Sequence, residues 1–460
     1  MREYNVKLSP FNLTGLKSIT GQQSENSHGV YQISGIIPVE KVSEYMTLGL
    51  EDIEAELTAV DADLNEKAIF RGVVTDFQIE IENDVPVLNI EVTSGTFLLD
   101  RIPHVRTFQD EGITYSSMLS TVTGPHGADF IMSRGDGVTI KEGTVAQYQE
   151  TDWAFAKRLA SHFNTVLIPN NHMGGKKFYF GPPSRPAQHK LSSDNYSVRR
   201  VKGKLSSDSG ESGPAKDIVY YIIREREIYY LGDCIVLNGR ELYVSSIDSE
   251  LIGSELYHTY SLKQKDDFCS PKIYNYTVIG ASLDGKILSV QKDVVKMTVT
   301  GDENAASAGS RWYVYSTVYS SPDGTGWYCM PEPGDAVRLY FPTMDESQAY
   351  VISSTHSPSS ARSNPDNKSI KNKQNKEVLL MPDKVVVTNN KGMSVVLDDA
   401  QGVTIVSDKD IIIDSKESIQ ITCGEEVLVA AADAIKMEQG GTTLSLSEVV
   451  GMLGAQVRLD

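Results

Sequence analysis

Eight histidines, four cysteines and 61 acidic residues are the side chains with which this chain could do chemistry. The histidines, His28, His104, His126, His162, His172, His189, His258 and His356, are scattered, and none stands in the HExxH spacing that aims two rings at one metal ion. Cys234, Cys269, Cys329 and Cys423 lie far apart without a CxxC pair, which predicts free thiols in a reducing compartment. No GxSxG elbow and no phosphate-cradling glycine loop occurs. Acidic pairs such as Asp398-Asp399 and Glu425-Glu426 read as solvated corners rather than catalytic carboxylates. The Arg-Gly-Asp triplet within Ser133–Gly137 and the segment His172-Met173-Gly174-Gly175 read as turns. Trp312, Tyr313, Tyr315 and Tyr340 could stack on bases, but a net charge of −18 repels phosphate, so these rings are expected in a core. The sequence predicts no catalytic residue, no metal ligands and no cofactor.

The elements themselves are more informative. Alternating apolar residues Phe77, Ile79 and Ile81, then Glu82-Asn83-Asp84, then Val87–Val92, predict a hairpin. Asp233–Leu237 and Glu241–Val244 flank Asn238-Gly239, a pair that tolerates the positive φ of a tight turn. One helix is clear over Glu150–Phe163: Thr151 or Asp152 caps it, and Trp153, Ala156, Leu159, Ala160 and Phe163 share a face. Between Pro271 and Ser354 about five short strands suit a small barrel. Lys204–Lys216 and Asp302–Gly309 read as loops, and Ser357–Asn375 reads as an interdomain linker. No apolar run is long enough to span a bilayer, and the start lacks the apolar core of a signal peptide, so cytoplasmic residence until a machine exports the chain is expected.

The C-terminal segment carries the strongest pattern. Val387, Val395, Val403, Ile411, Ile419, Val427 and Ile435 recur every eight residues. Two positions on stand Leu397, Ile405, Ile413, Ile421, Val429 and Met437, with only Asn389 breaking this second column. Small residues, Ser407, Ser415, Cys423 and Ala431, follow where a strand would turn a corner. Fixed periods mark stacked architectures. One chain could coil three octads per rung, giving a short stub. Three chains could instead intertwine, each octad giving one side of a layer, for roughly 50 Å of needle over ten octads at the spacing of paired strands. The triple-stranded form buries each inward residue three times over and is favoured. Near the end the register slips: Leu444 and Leu446 are apolar where the repeat predicts Thr443 and Ser445.

Three segments together resemble VgrG proteins, which are similar to fused hub and spike proteins of contractile phage tails. They are Tyr148–Trp153 followed by Lys157-Arg158-Leu159-Ala160; Trp327–Phe341 with its Pro-x-x-Gly-Asp turn; and Asn364–Ile370 leading to Lys376-Glu377-Val378. The resemblance implies a mainly β homotrimer. Its parts would be a hub of barrel-like domains over 1–270 and an oligonucleotide/oligosaccharide-binding-type barrel over 271–356. A linker over 357–375 and a β-helical shaft and tip over 376–460 would follow. The implied role is structural, not enzymatic: inner-tube and baseplate proteins would stack on the hub, and the shaft would pierce a target membrane on sheath contraction. A PAAR-type tip protein or effector would contact the tip at Val457, Leu459 and Asp460. No nucleic-acid partner is implied. The valine-glycine octad of such shafts is weak here, with Gly424 and Gly440 but Asp408 and Lys416 at the matching place. The alternative is an exported trimeric fibre or adhesin, for which an export signal is missing. A glycan-degrading β-solenoid would need a carboxylate groove that the sequence does not locate.

Overall fold

The computed structural model describes residues 5–49, 53–61, 63–140, 143–192, 195–202, 217–353 and 363–446. The expected loop over Lys204–Lys216 and the tip residues Val457, Leu459 and Asp460 lie outside them. The protein is mainly β, with 29 strands and three α-helices among the described residues. It divides into two compact units, Met1–His356 and Ser357–Asp460.

The first unit is built on one long sheet. Its order is Asn5–Ser9, Glu54–Val60, Glu66–Glu82, Val85–Ser94, Val30–Ile36, Gly15–Ser24, Arg240–Ile252, Glu255–Lys263, Ile218–Glu225 and Ser197–Val201. Two predicted hairpins are present. Glu66–Glu82 turns into Val85–Ser94 through Asn83 and Asp84, both at positive φ. Cys234–Leu237 turns into Arg240–Ile252 through Asn238 at φ 48° and Gly239 at φ 83°. Such a primed turn matches the right-handed twist of the strands it joins.

Arg240–Ile252 also pairs with Gly15–Ser24, Ile247 facing Gln23, and so welds the two halves of the sheet. A buried polar chain crosses that seam. Gln23 Nε2 donates to the Tyr31 hydroxyl at 3.2 Å, Tyr31 Oη lies 2.8 Å from Ser249 Oγ, and Ser249 Oγ lies 2.7 Å from His258 Nδ1. Gly21 leaves room for this: a Cβ there would stand 2.3 Å from the Tyr31 ring. Separate apolar clusters fill the two halves, one around Tyr31, Phe70 and Leu88 and one around Ile235, Val244 and Tyr260.

Helix Asp152–Ser161 anchors a third cluster. Thr151 Oγ1 accepts from the Ala154 N–H at 3.2 Å, as the cap requires. Trp153, Ala156, Leu159 and Ala160 are buried against Phe108, Leu119 and Phe178, while Phe163 is half-buried at the rim.

The five strands expected between Pro271 and Ser354 form a single sheet. Its order is Tyr313–Val314, Val294–Val299, Ser282–Gln291, Ala336–Tyr340, Tyr350–Ser353. A parallel bridge between Tyr315 and Val351, with Ser316 N–H donating to Val351 O at 2.7 Å, joins its first and last members, so the sheet curls into a barrel. Tyr313 is in the core as expected, but Trp312 is not. It stands exposed just before strand Tyr313–Val314, on the side opposite the buried Tyr313, and Lys296 Nζ sits 5.1 Å from its ring centre. Tyr315 and Tyr340 are half-buried. The segment 302–309 is pinned rather than free: Asp302 accepts from the Thr107 N–H and hydroxyl, and Ala305–Ser307 forms a 3₁₀ turn.

The second unit begins with an antiparallel meander, Lys368–Lys371, Glu377–Leu380, Lys384–Thr388, Ser394–Asp398 and Gly402–Val406. Its first strand lies inside the stretch expected as a linker, where Ile370 faces Val378 across the ladder. A hairpin, Ile435–Gln439 with Thr442–Leu446, closes the described part.

Candidate assembly surface and a buried ionic joint

The octad residues of the meander share one face. Val387 pairs with Val395, Val395 with Ile405, and Leu397 with both Val385 and Val403. Residues directly across a ladder project to the same side, so these form a continuous apolar patch. Val378 and Leu380 pair with Val387 and Val385 and extend it, and Ile370 faces Val378. The sequence repeat missed these three, although the alternation of Val378 and Leu380 is visible once the ladder is known.

From residue 407 to 434 the chain behaves differently. The chain is in neither helix nor strand there and bends at 408–409, 416–417, 424–425 and 432–433, every eight residues. Among the described residues, no backbone hydrogen bond joins this stretch to any other part of the chain. Two of the small corner residues brace the bends: Ser407 Oγ accepts from the Lys409 N–H at 3.1 Å, and Ser415 Oγ from the Glu417 N–H at 3.3 Å.

One expectation needs correction here. The earliest octads do not advance corner by corner; they fold back as hairpins. Asn390 at φ 50°, Gly392 at φ 97° and Gly402 at φ 79° supply the left-handed residues that reverse a strand. No described residue from 403 to 439 has positive φ, and there the chain bends without reversing.

The thirteen octad residues named above are left largely uncovered in a single chain. Twelve are exposed, from 36% at Val395 to 75% at Ile421, and Ile435 is half-buried. All four apolar core clusters among the described residues lie in the first unit. Exposed aliphatic ladders of this extent mark interaction surfaces, since each such side chain gains roughly 1.5–3 kcal/mol on burial. Unpaired backbone adds open donors and acceptors ready for another strand.

Within the first unit, the segment Tyr148–Ala160 builds a joint between the helical part and the barrel. Arg158, 2% exposed, spans it. Its Nε lies 3.1 Å from both Glu150 oxygens, its Nη2 donates to Glu150 Oε2 at 2.9 Å and to Ala146 O at 2.8 Å, and its Nη1 donates to Glu346 Oε2 at 3.2 Å. Glu346, which sits beside the last barrel strand, also accepts from the Ala146 N–H at 3.2 Å. Burial pushes the Glu346 carboxyl above its ordinary range, with the Arg158 charge opposing that shift. Ala146 belongs to the barrel's own apolar cluster. The segment that carried the family resemblance thus has a structural use here.

The histidines are less scattered than the sequence suggests. His104 and His126 both meet Asp152, the first helical residue, and this trio is the one cluster of possible metal ligands among the described residues. His162 and His258 are held neutral. Burial pushes His162 down to about 3 and His258 down to about 4. Asp398, at a hairpin, accepts from the Ala400 and Gln401 N–H groups at 3.0 Å, and Glu425 lies at a bend.

No protein-family model and no curated protein sequence matches the chain. Solved structures do. A chain of a PdpA–VgrG complex (the lidless form) aligns with 88% of this chain and 98% of its own, at 9% identity and a TM-score of 0.55. The lidded Francisella PdpA–VgrG complex gives the same score and identity over 88% and 80% of the two chains. The E. coli c3393 protein aligns over 75% of this chain and 99% of its own, at 12% identity and a TM-score of 0.51. It is described as a component of the type VI secretion system, with structural similarity to T4 bacteriophage tail proteins gp27 and gp5.

Proposed function

We propose that this chain, which has the fold of the VgrG-type proteins, is the hub and spike of a contractile injection machine and works as a homotrimer. The observation that carries the proposal is the stretch 407–434: in neither helix nor strand, bent every eight residues, apolar on schedule, and without a backbone hydrogen-bond partner among the described residues. Three copies supply what one copy lacks. Each extended segment pairs with its neighbours, and each apolar column closes on the three-fold axis. The seven members of the first column, six spacings apart end to end, then span roughly 29 Å at the spacing of paired strands. The meander before them, with its single apolar face, would give one side of a prism per chain.

In this assembly, residues 1–270 form the hub that meets inner-tube and baseplate proteins, and the barrel over 271–356 carries load from hub to shaft. The linker over 357–375 and the shaft and tip over 376–460 follow. Val457, Leu459 and Asp460 would contact a PAAR-type tip protein or effector. The role is mechanical rather than enzymatic. A closed, fully paired β-prism is stiff and has no lateral edge to recruit foreign strands, which suits brief contact with a target membrane. No described helix is long and apolar enough to cross a membrane.

Electron microscopy of the purified protein, alone and mixed with inner-tube protein, tests the proposal. A three-fold head with a thin needle, seated on tube ends through the head, is the expected image. A needle-bearing trimer that ignores tubes would favour a fibre or adhesin, and compact particles without a needle would remove the spike altogether.

A further inference from the structure

Three side chains from separate segments converge near the joint. His104 lies on strand Pro103–Phe108, His126 ends the 3₁₀ turn Gly124–His126, and Asp152 opens helix Asp152–Ser161. One ligand atom from each lies within 4.8 Å of the other two. Asp152 is 1% exposed, and its two oxygens have divided tasks. Oδ1 accepts from Arg106 Nη1 at 2.5 Å and Gln147 Nε2 at 2.8 Å. Oδ2 faces the two imidazoles, 2.8 Å from His126 Nε2 and 3.6 Å from His104 Nε2.

The second ring nitrogen of His104 makes this arrangement informative. Nδ1 stands 2.7 Å from Glu303 Oε2, and a carboxylate only accepts, so Nδ1 carries the hydrogen. In the neutral ring, Nε2 then presents a lone pair toward the Oδ2 lone pairs. Two acceptors 3.6 Å apart leave an arrangement that a cation between them would complete. Carboxylate behind imidazole, imidazole toward a common point, is also how metal-ligating histidines are oriented. Formal charge agrees: Arg106 offsets one of the carboxylates Asp152 and Glu303, leaving the cluster at −1 before any ion enters, with Arg106 Nη2 3.1 Å from Glu303 Oε2.

We propose that His104 Nε2, His126 Nε2 and Asp152 Oδ2 bind a divalent transition-metal ion of the zinc class, with Glu303 orienting His104. Bonds of 2.0–2.2 Å in a tetrahedral site set ligand atoms about 3.4 Å apart, and the observed 2.8 and 3.6 Å bracket that spacing. Two nitrogens and one oxygen suit zinc, copper or nickel better than calcium or magnesium, which prefer all-oxygen shells. With His126 27% exposed, water would supply the fourth ligand. The ion ties three segments together at one point. Through Glu303 it also fastens the segment after barrel strand Val294–Val299 to the hub strand, where Glu303 N–H already donates to Val105 O at 3.2 Å.

The test uses the full chain, stripped with chelator and titrated with zinc chloride by calorimetry, with cobalt chloride as an optical probe. One zinc per chain is expected, with a rise in melting temperature on loading and cobalt d–d bands of a four-coordinate nitrogen/oxygen site. His126→Ala and His104→Ala should each lose at least tenfold in affinity. Glu303→Gln keeps all three ligands and should lose about 10–100-fold, so a folded variant remains even if a ligand variant fails to fold. Wild-type protein that takes up no zinc overturns the proposal and leaves a proton on His104 as the cation. Zinc binding indifferent to His126→Ala and Glu303→Gln also overturns it, by placing the ion elsewhere.

Discussion

Replacing Arg158 with methionine removes the cation from the joint between the helical part of the first unit and the barrel while keeping a long apolar stem. The guanidinium is 2% exposed and holds two carboxylates whose side chains are only 11% and 10% exposed. Breaking a buried pair from one side costs about 3–5 kcal/mol, because the remaining charge is stranded out of water. Here two like charges are stranded together, and protonating one relieves both burial and repulsion. Burial already raises Glu346, and losing Arg158 removes the strongest opposing influence. In the variant, the folded state therefore binds protons more tightly than the unfolded state. Stability then falls as pH rises, and the deficit against wild type must shrink as pH is lowered. Urea unfolding followed by tryptophan emission, run for both proteins at pH 7.5 and pH 5, reads this difference directly and cancels groups common to both. A deficit of about 3–5 kcal/mol at pH 7.5 that narrows at pH 5 is expected. A deficit below about 1 kcal/mol, or one that ignores pH, would show that Arg158 acts through packing alone.

Three further outcomes are expected. Ile419→Asp should abolish trimers in size-exclusion light scattering, since three carboxylates would meet where the proposed trimer buries three aliphatic side chains; a trimer melting like wild type would refute the inward assignment. Below pH 6.5 the protein should lose stability through His258, whose value of about 4 means the folded state resists a proton that the unfolded state accepts; at pH 5 this amounts to about 2 kcal/mol, and His258→Gln should flatten the stability–pH curve by that amount. Gly239→Val should cost about 1–2 kcal/mol, because φ 83° is closed to a β-branched residue; an unchanged urea midpoint would mean the turn rearranges freely.

Local chemistry in the sequence revealed what local chemistry controls. Asn83-Asp84 and Asn238-Gly239 turn where residues that tolerate positive φ allow it, and Thr151 caps the helix because its hydroxyl can reach the Ala154 N–H. The barrel strands were legible from short alternating runs. Pairings that cross the chain were not. Tyr31 meets Ser249 across 218 positions, and Arg158 meets Glu346 across 188, with no periodic pattern to join either pair. For the same reason His104, His126 and Asp152 looked unrelated. The octads show a subtler limit. A period of eight fits both a hairpin ladder and a bending prism, and the difference rests on which junctions hold left-handed residues. Gly392 and Gly402 do, and the bends from 408 onward do not. Exposure of Trp312 follows from strand alternation, which a count of aromatic residues ignores.

The central claim is that one chain leaves its apolar columns and extended backbone for two others to complete. Light scattering after size exclusion, in dilute solution at neutral pH, addresses it most directly. The account predicts a closed three-fold assembly of about 150 kDa, three times the 50.6 kDa chain. A stable, folded particle of 50.6 kDa would contradict it, because the residues from Val387 to Met437 would then have to find cover within a single chain.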